Sequence, residues 1–177
     1  MPTISLEDIF SSLVIKTHDK IYMATFDIPS AYIHAEIPED KQILLKLRDK
    51  FVDIMCDVNK EHRKNMVIEN GKRLLYMRLV RAIYGCIQSA FLWYYLYSNT
   101  LKNMGSEINP DDECIANKMI NVNQCKIGWY VDNNKMSHKE AKVVDDILTI
   151  FKETFGNLTI KQGNSHDFLG IDQMITK

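Results

Sequence analysis

No stretch of this sequence approaches the ~18 consecutive apolar residues that a membrane-spanning helix requires, and its N-terminus lacks the layout of a secretory signal. The expectation is a soluble, intracellular chain. Cysteine is sparse and unpatterned: Cys56, Cys86, Cys114 and Cys125 form no CxxC or CxxH pair. That spacing argues against a structural zinc site and leaves four reduced, mostly buried thiols. Seven glycines and four prolines in 177 residues build no linker, low-complexity tract or repeat. One domain, or one domain and part of a second, is therefore expected. Basic excess is missing too, since 22 Lys and Arg stand against 23 Asp and Glu, a formal charge of −1. Proteins that grip long nucleic acids usually show such an excess, because phosphate neutralisation dominates their affinity. The distribution says more than the sum. Lys41, Lys46, Arg48, Lys50, Lys60, Arg63, Lys64, Lys72, Arg73, Arg78 and Arg81 crowd the middle of the chain. Acidic neighbours dilute them, so by itself the stretch reads as a solvated face.

What is present is an ordinary globular composition, 46% hydrophobic and 25% charged, which argues against disorder. Residues 5–18 carry helical spacing at Leu6, Ile9, Phe10, Leu13 and Val14, with Ser5 as N-cap. IYMATFDI (21–28) reads as a short strand ended by Pro29. Residues 39–57 read as a helix with Ile43, Leu44, Leu47, Phe51 and Ile54 in one stripe. Asn70-Gly71 signals a turn before LLYMRLV. After Gly85 comes a long helix closed by Gly105. CIANKMI and CKIGWYV then read as strands around the polar turn 121–124. Ser137 and Glu140 form a capping box for a helix running to about Phe155, with Val143, Val144, Ile147, Leu148, Phe151 and Phe155 in its stripe and Gly156 behind it. TIKQG and FLGIDQMI follow as strands. The order predicts an α+β fold, helices packed on a mostly antiparallel sheet in a split βαβ, ferredoxin-like arrangement.

Two carboxylates stand out against this layout. Asp27 ends a hydrophobic strand, and Asp132 lies in WYVDNN, where an apolar strand runs into a tight turn. Alone, each reads better as a capping or turn residue. Together, at adjacent strand ends, they are the hard-oxygen donor set that a pair of Mg²⁺ ions takes, with waters and phosphates completing the coordination. Trp93, Tyr94 and Tyr97, at helical spacing, are read as core rather than as a base-stacking platform.

Four segments occur in order: FDIPSAYIHAEIP (26–38), RAIYGCIQSAFLWYY (81–95), GWYVDNN (128–134) and HDFLGID (166–172). The set resembles the successive palm motifs of Ty/copia-type retrotransposon reverse transcriptases, from about Leu6 to Met174. The resemblance implies a polymerase palm, one reverse transcriptase domain fragment over residues 1–177, with part of the fingers at about 39–80. It implies RNA-directed DNA synthesis on an RNA or DNA template with primer, from deoxynucleoside triphosphates, using two Mg²⁺ ions with Mn²⁺ as the alternative. It also implies a cytoplasmic virus-like particle, with access to the nucleus, as the setting. By the same resemblance Asp27 and Asp132 hold the metal, Tyr32 excludes a 2′ hydroxyl, and Gln88 contacts the incoming nucleotide and template base. Phe168, Leu169 and Gly170 form the primer-side turn. Lys152 and Lys161 are candidates for a general acid, though no exact motif fixes either and an exposed lysine is the better reading of both.

The sequence departs from that pattern in two places. Where the family carries a second adjacent aspartate, this chain has Asn133, which keeps an oxygen but no charge. The expectation is ion binding in weakened form and a much slowed chemical step. The second departure is extent, since the sequence offers no counterpart to an upstream fingers segment, a thumb or an RNase H domain. The rival reading is a non-catalytic nucleic-acid-binding module on a ferredoxin-like fold, which would want exposed aromatics on its sheet face.

Overall fold

The computed structural model describes residues 4–5, 21–163 and 165–174. The expected helix over 5–18 lies outside the described residues except for Ser5. The chain forms two compact units, one built from the described residues up to Ala35 and from Ile83 onward, the other from Glu36–Ala82.

The larger unit is an antiparallel six-stranded sheet with helices on one face. Its strands are β1 (Tyr22–Asp27), β5 (Glu107–Ile108), β6 (Ile115–Ile120), β7 (Asn123–Tyr130), β8 (Asn133–His138) and β9 (Thr159–Gln162), in the order β5-β6-β7-β8-β1-β9. A single turn, α1 (Ala31–His34), follows β1. The long helices are α3 (Ser89–Asn103), after β1, and α4 (Ala141–Phe155), between β8 and β9. Ala24 and Phe26 point from β1 into the helical layer, where Phe26 meets Phe151 at 5.0 Å between ring centroids. The stripe read from α4 is buried at all six positions, because a 3.6-residue period brings them onto one face. Trp93 and Tyr97 of α3 are fully buried and pack on each other at 5.3 Å, as core residues. Gly105 ends α3 at φ 81, with its own N–H bonded to the Lys102 carbonyl and that of Ser106 to the Leu101 carbonyl. This is a Schellman closure that a Cβ would strain. All four cysteines are free. Burial pushes the Cys114 and Cys125 thiols up to about 12 and about 11, which keeps them protonated and unreactive.

On the opposite face of the sheet lies a hairpin, β10 (Ser165–Phe168) and β11 (Ile171–Met174), whose first strand packs against β1, β8 and β9. FLGIDQMI is therefore not one strand. Leu169 (φ 56) and Gly170 (φ 75) make a tight two-residue turn inside it, and Asp167 Oδ1 accepts the Gly170 N–H at 3.1 Å. The capping box is also corrected. Ser137 belongs to β8, opposite Met23, and α4 begins only at Ala141. His138 Nδ1 accepts the Glu140 N–H at 3.0 Å in place of a serine cap.

The smaller unit is a three-stranded antiparallel sheet, β2 (Leu44–Arg48), β4 (Lys72–Arg78) and β3 (Met66–Glu69), with α2 (Lys50–Val58) on one face. Here the helix expected over 39–57 divides. LLKLR satisfies both periods, but pairing of Leu45 with Met77 and Leu47 with Leu75 makes it a strand, and Asp49, at φ 51, breaks the chain before α2. The buried face of α2 is Val52 and Cys56, packed on Leu75, so Phe51 and Ile54 stay exposed. Asn70-Gly71 is the expected turn between β3 and β4. Much of the basic stretch is consumed within this unit. Arg73 grips Asp53 through both carboxylate oxygens at 2.6 and 2.9 Å, while Lys46 pairs with Glu69, Lys64 with Glu61, Arg63 with Asp57 and Arg81 with Glu36.

Candidate active site

The β7–β8 hairpin closes through Val131 and Asp132, and its strand β8 lies beside β1, so Asp27 and Asn133 are direct cross-strand partners. The Asp132 carbonyl accepts the Ile28 N–H at 3.0 Å, tying the turn to the end of β1. The turn is strained and heavily supported. Val131 sits at φ 55, a left-handed conformation unfavourable for a β-branched residue. Trp93 Nε1 donates to the Val131 carbonyl at 2.8 Å, and Asn134 Nδ2 donates to the Asp132 carbonyl at 2.6 Å. Asn134 is itself buried and accepts from the Tyr97 hydroxyl. The helical layer thus fixes the backbone that presents the carboxylate.

Asp132 accepts two side-chain hydrogen bonds, from Asn133 Nδ2 to Oδ1 at 3.2 Å and from the Tyr84 hydroxyl to Oδ2 at 3.4 Å. Tyr84 in turn packs on Tyr32, with ring centroids 4.4 Å apart. Burial, and then the Asp132 charge, hold the Asp27 carboxyl above its ordinary value. The Tyr32 phenol is raised by burial and then by Asp132, as is that of Tyr84. Among the described residues no Lys or Arg forms an ion pair with either carboxylate. Two carboxylates of like charge, ion-paired with no Lys or Arg among the described residues, fit a divalent ion. The donor set is short, however, because no cluster of three His, Cys, Asp or Glu side chains occurs among the described residues.

Asp27, Tyr32, Asp132 and Asn133 are thus brought together. Gln88 stands exposed at the N-cap of α3 without a side-chain capping bond. Phe168 is buried under Lys135, whose Nζ lies 5.9 Å from the ring centroid, and Leu169-Gly170 form the hairpin tip. That hairpin sits on the Asp27 face of the sheet, since Thr25 Oγ1 meets His166 Nδ1 at 3.3 Å and Thr25 shares its face with Asp27. Lys161 of β9, partner of Thr25, is exposed on this face. Lys152 is not, because α4 lies on the other side. Tyr84 and Asn134 were missed by sequence reasoning. Asn134 looked like one more turn residue, and nothing local marks Tyr84.

The raised Asp27 carboxyl has a consequence for stability. The folded chain binds that proton more tightly than the unfolded chain, so stability falls as pH rises from the ordinary carboxylate range through the raised value. Asp27→Asn should therefore melt higher than the parent at pH 7 in ion-free buffer, with the gap closing toward about pH 3. A gap that persists at low pH would assign the effect to packing.

A family model described as reverse transcriptase (RNA-dependent DNA polymerase) matches residues 1–176. No curated protein sequence matches the chain. Among solved structures, telomerase from Candida albicans in complex with a fragment of telomeric RNA aligns over 98% of this chain and 34% of its own, at 11% identity and TM-score 0.51. Apo telomerase from Candida tropicalis aligns over 97% and 39%, at 12% identity and TM-score 0.48. The chain spans little more than a third of these structures.

Proposed function

The chain belongs to the reverse transcriptase family, and we propose that it is a polymerase palm of the Ty/copia type, extending a primer 3′ end on an RNA or DNA template from deoxynucleoside triphosphates. The observation that carries this reading is the juxtaposition of Asp27 and Asp132: Asp27, at the end of β1, pairs across the ladder with Asn133, and the Asp132 carbonyl accepts the Ile28 N–H. The succession β1, α3, β7–β8, α4, β9, with β1 between β8 and β9, supports a ferredoxin-like palm. The unit Glu36–Ala82 would be the partial fingers. Asp27 and Asp132 would hold Mg²⁺ or Mn²⁺, whose chemistry is to activate the attacking hydroxyl and stabilise the leaving group. Tyr32 would wall off a 2′ hydroxyl, Gln88 would meet the template side, and Phe168-Leu169-Gly170 the primer side. The setting would be a cytoplasmic particle. Asn133 leaves the site one charge short, which favours binding with slow turnover.

A labelled primer–template, titrated with and without Mn²⁺, tests this. Of the eleven basic side chains of the smaller unit, five are ion-paired with carboxylates of the same unit. Affinity should fall at least about tenfold between roughly 50 and 200 mM salt, the effect of as few as two phosphate contacts. The Mn²⁺-dependent part should vanish in Asp27→Asn. A salt-independent affinity, or an Mn²⁺ effect that survives the substitution, rules the reading out.

A further inference from the structure

Tyr84 is 55% exposed, yet it touches two members of the candidate site: its ring lies on Tyr32 and its hydroxyl reaches Asp132 Oδ2. We propose that Tyr84 is a positioning residue that orients the Asp132 carboxylate for a divalent ion and links that carboxylate to the wall formed by Tyr32. This rests on the reading of Asp27 and Asp132 as ion ligands.

Asp132 lies in a two-residue turn whose backbone is fixed by Trp93, Asn134 and Ile28. Among the described residues its side chain has two anchors, Asn133 Nδ2 on Oδ1 and the Tyr84 hydroxyl on Oδ2. A carboxylate oxygen has two lone-pair sites, so one donor on each oxygen sets the plane of the group and leaves the second site open to an ion. Without Tyr84 the carboxylate is held on one side only, and an arriving ion must pay the ordering entropy that the phenol now removes in advance. The ring contact carries the link further. With centroids 4.4 Å apart and planes tilted by 49°, Tyr32 cannot swing without displacing Tyr84.

The test uses the full chain and Tb³⁺, a hard-oxygen probe ion whose emission is sensitised by nearby aromatic rings and displaced by Mg²⁺. The parent should bind it, and Asp27→Asn and Asp132→Asn should each weaken binding about tenfold or more. Tyr84→Phe keeps the ring and removes the hydroxyl, and should weaken binding about fivefold. In the Asp132→Asn background the same substitution should change nothing further, because its effect passes through that carboxylate. If Tyr84→Phe binds Tb³⁺ within twofold of the parent, or weakens it equally in the Asp132→Asn background, the positioning role is wrong while the ion site stands. If Asp27→Asn and Asp132→Asn bind Tb³⁺ like the parent, the ion site itself is wrong, and the role of Tyr84 falls with it.

Discussion

Trp93→Ala should destabilise the chain by about 3–5 kcal/mol, the usual consequence of removing a fully buried indole. The expectation follows from what Trp93 touches. It is 1% exposed and packs against Tyr97 at 5.3 Å and Phe155 at 5.6 Å. Its Nε1–H is also the side-chain donor to the Val131 carbonyl, at the strained residue of the turn that presents Asp132. Trp93→Phe separates the two contributions. It keeps most of the packing and leaves that carbonyl without its partner, at about 1–3 kcal/mol. Against a typical total of about 5–15 kcal/mol, the alanine variant approaches the limit of folding. Phe91→Ala, on the same helix but at a residue 62% exposed, should change stability by less than about 0.5 kcal/mol. Urea unfolding of the three variants checks this. A Phe91 effect equal to that of Trp93 would mean that α3 packs through its other face.

That contrast marks where sequence reasoning reached and where it stopped. The helical stripe of α4, the strand β1 and the turns at Asn70-Gly71 and Gly105 were legible because each is decided locally, by period or by a positive φ. Residues 44–48 were not, because LLKLR fits a helix stripe as well as a strand and only pairing with β4 decides. The Ser137 capping box failed for a related reason. A local motif lost to the ladder that Ser137 joins between β1 and β7. In the site, Asp27 and Asp132 could be picked out because strand ends and a hairpin tip are local features, whereas Tyr32 entered only through the resemblance that the ordered motifs carry. Tyr84, Trp93 and Asn134 act only through long-range contacts, on Asp132, Val131 and Tyr97. No spacing in the sequence encodes those meetings. The same holds for the basic stretch, whose residues could be counted but whose carboxylate partners could not be assigned.

Asn133→Asp, in a palm grafted between the fingers and thumb of an active family member, should raise Mg²⁺-dependent primer extension about a thousandfold. Asn133 lies directly across the sheet from Asp27 and beside Asp132, so an aspartate there would place a third carboxylate where two already stand. At an effective dielectric near 20, a unit charge pair at about 4 Å is worth about 4 kcal/mol, and that much in the transition state is about a thousandfold in rate. The gain in rate comes with a loss of stability in ion-free buffer. The substitution replaces the amide donor to Asp132 Oδ1 with a like charge, and Asp132 already raises the Asp27 carboxyl. The third carboxylate should raise it further, so the ion-free variant should lose stability as pH rises through that range and recover it when Mg²⁺ is added. Asp27→Asn in the same background should abolish extension. If the graft carrying Asn133 extends primers within about tenfold of the Asn133→Asp graft, a gap of only about 1.4 kcal/mol, then the missing charge does not limit the chemical step. Membership of the family would be untouched by that result, and slow turnover would have to be sought in the groups that hold the triphosphate.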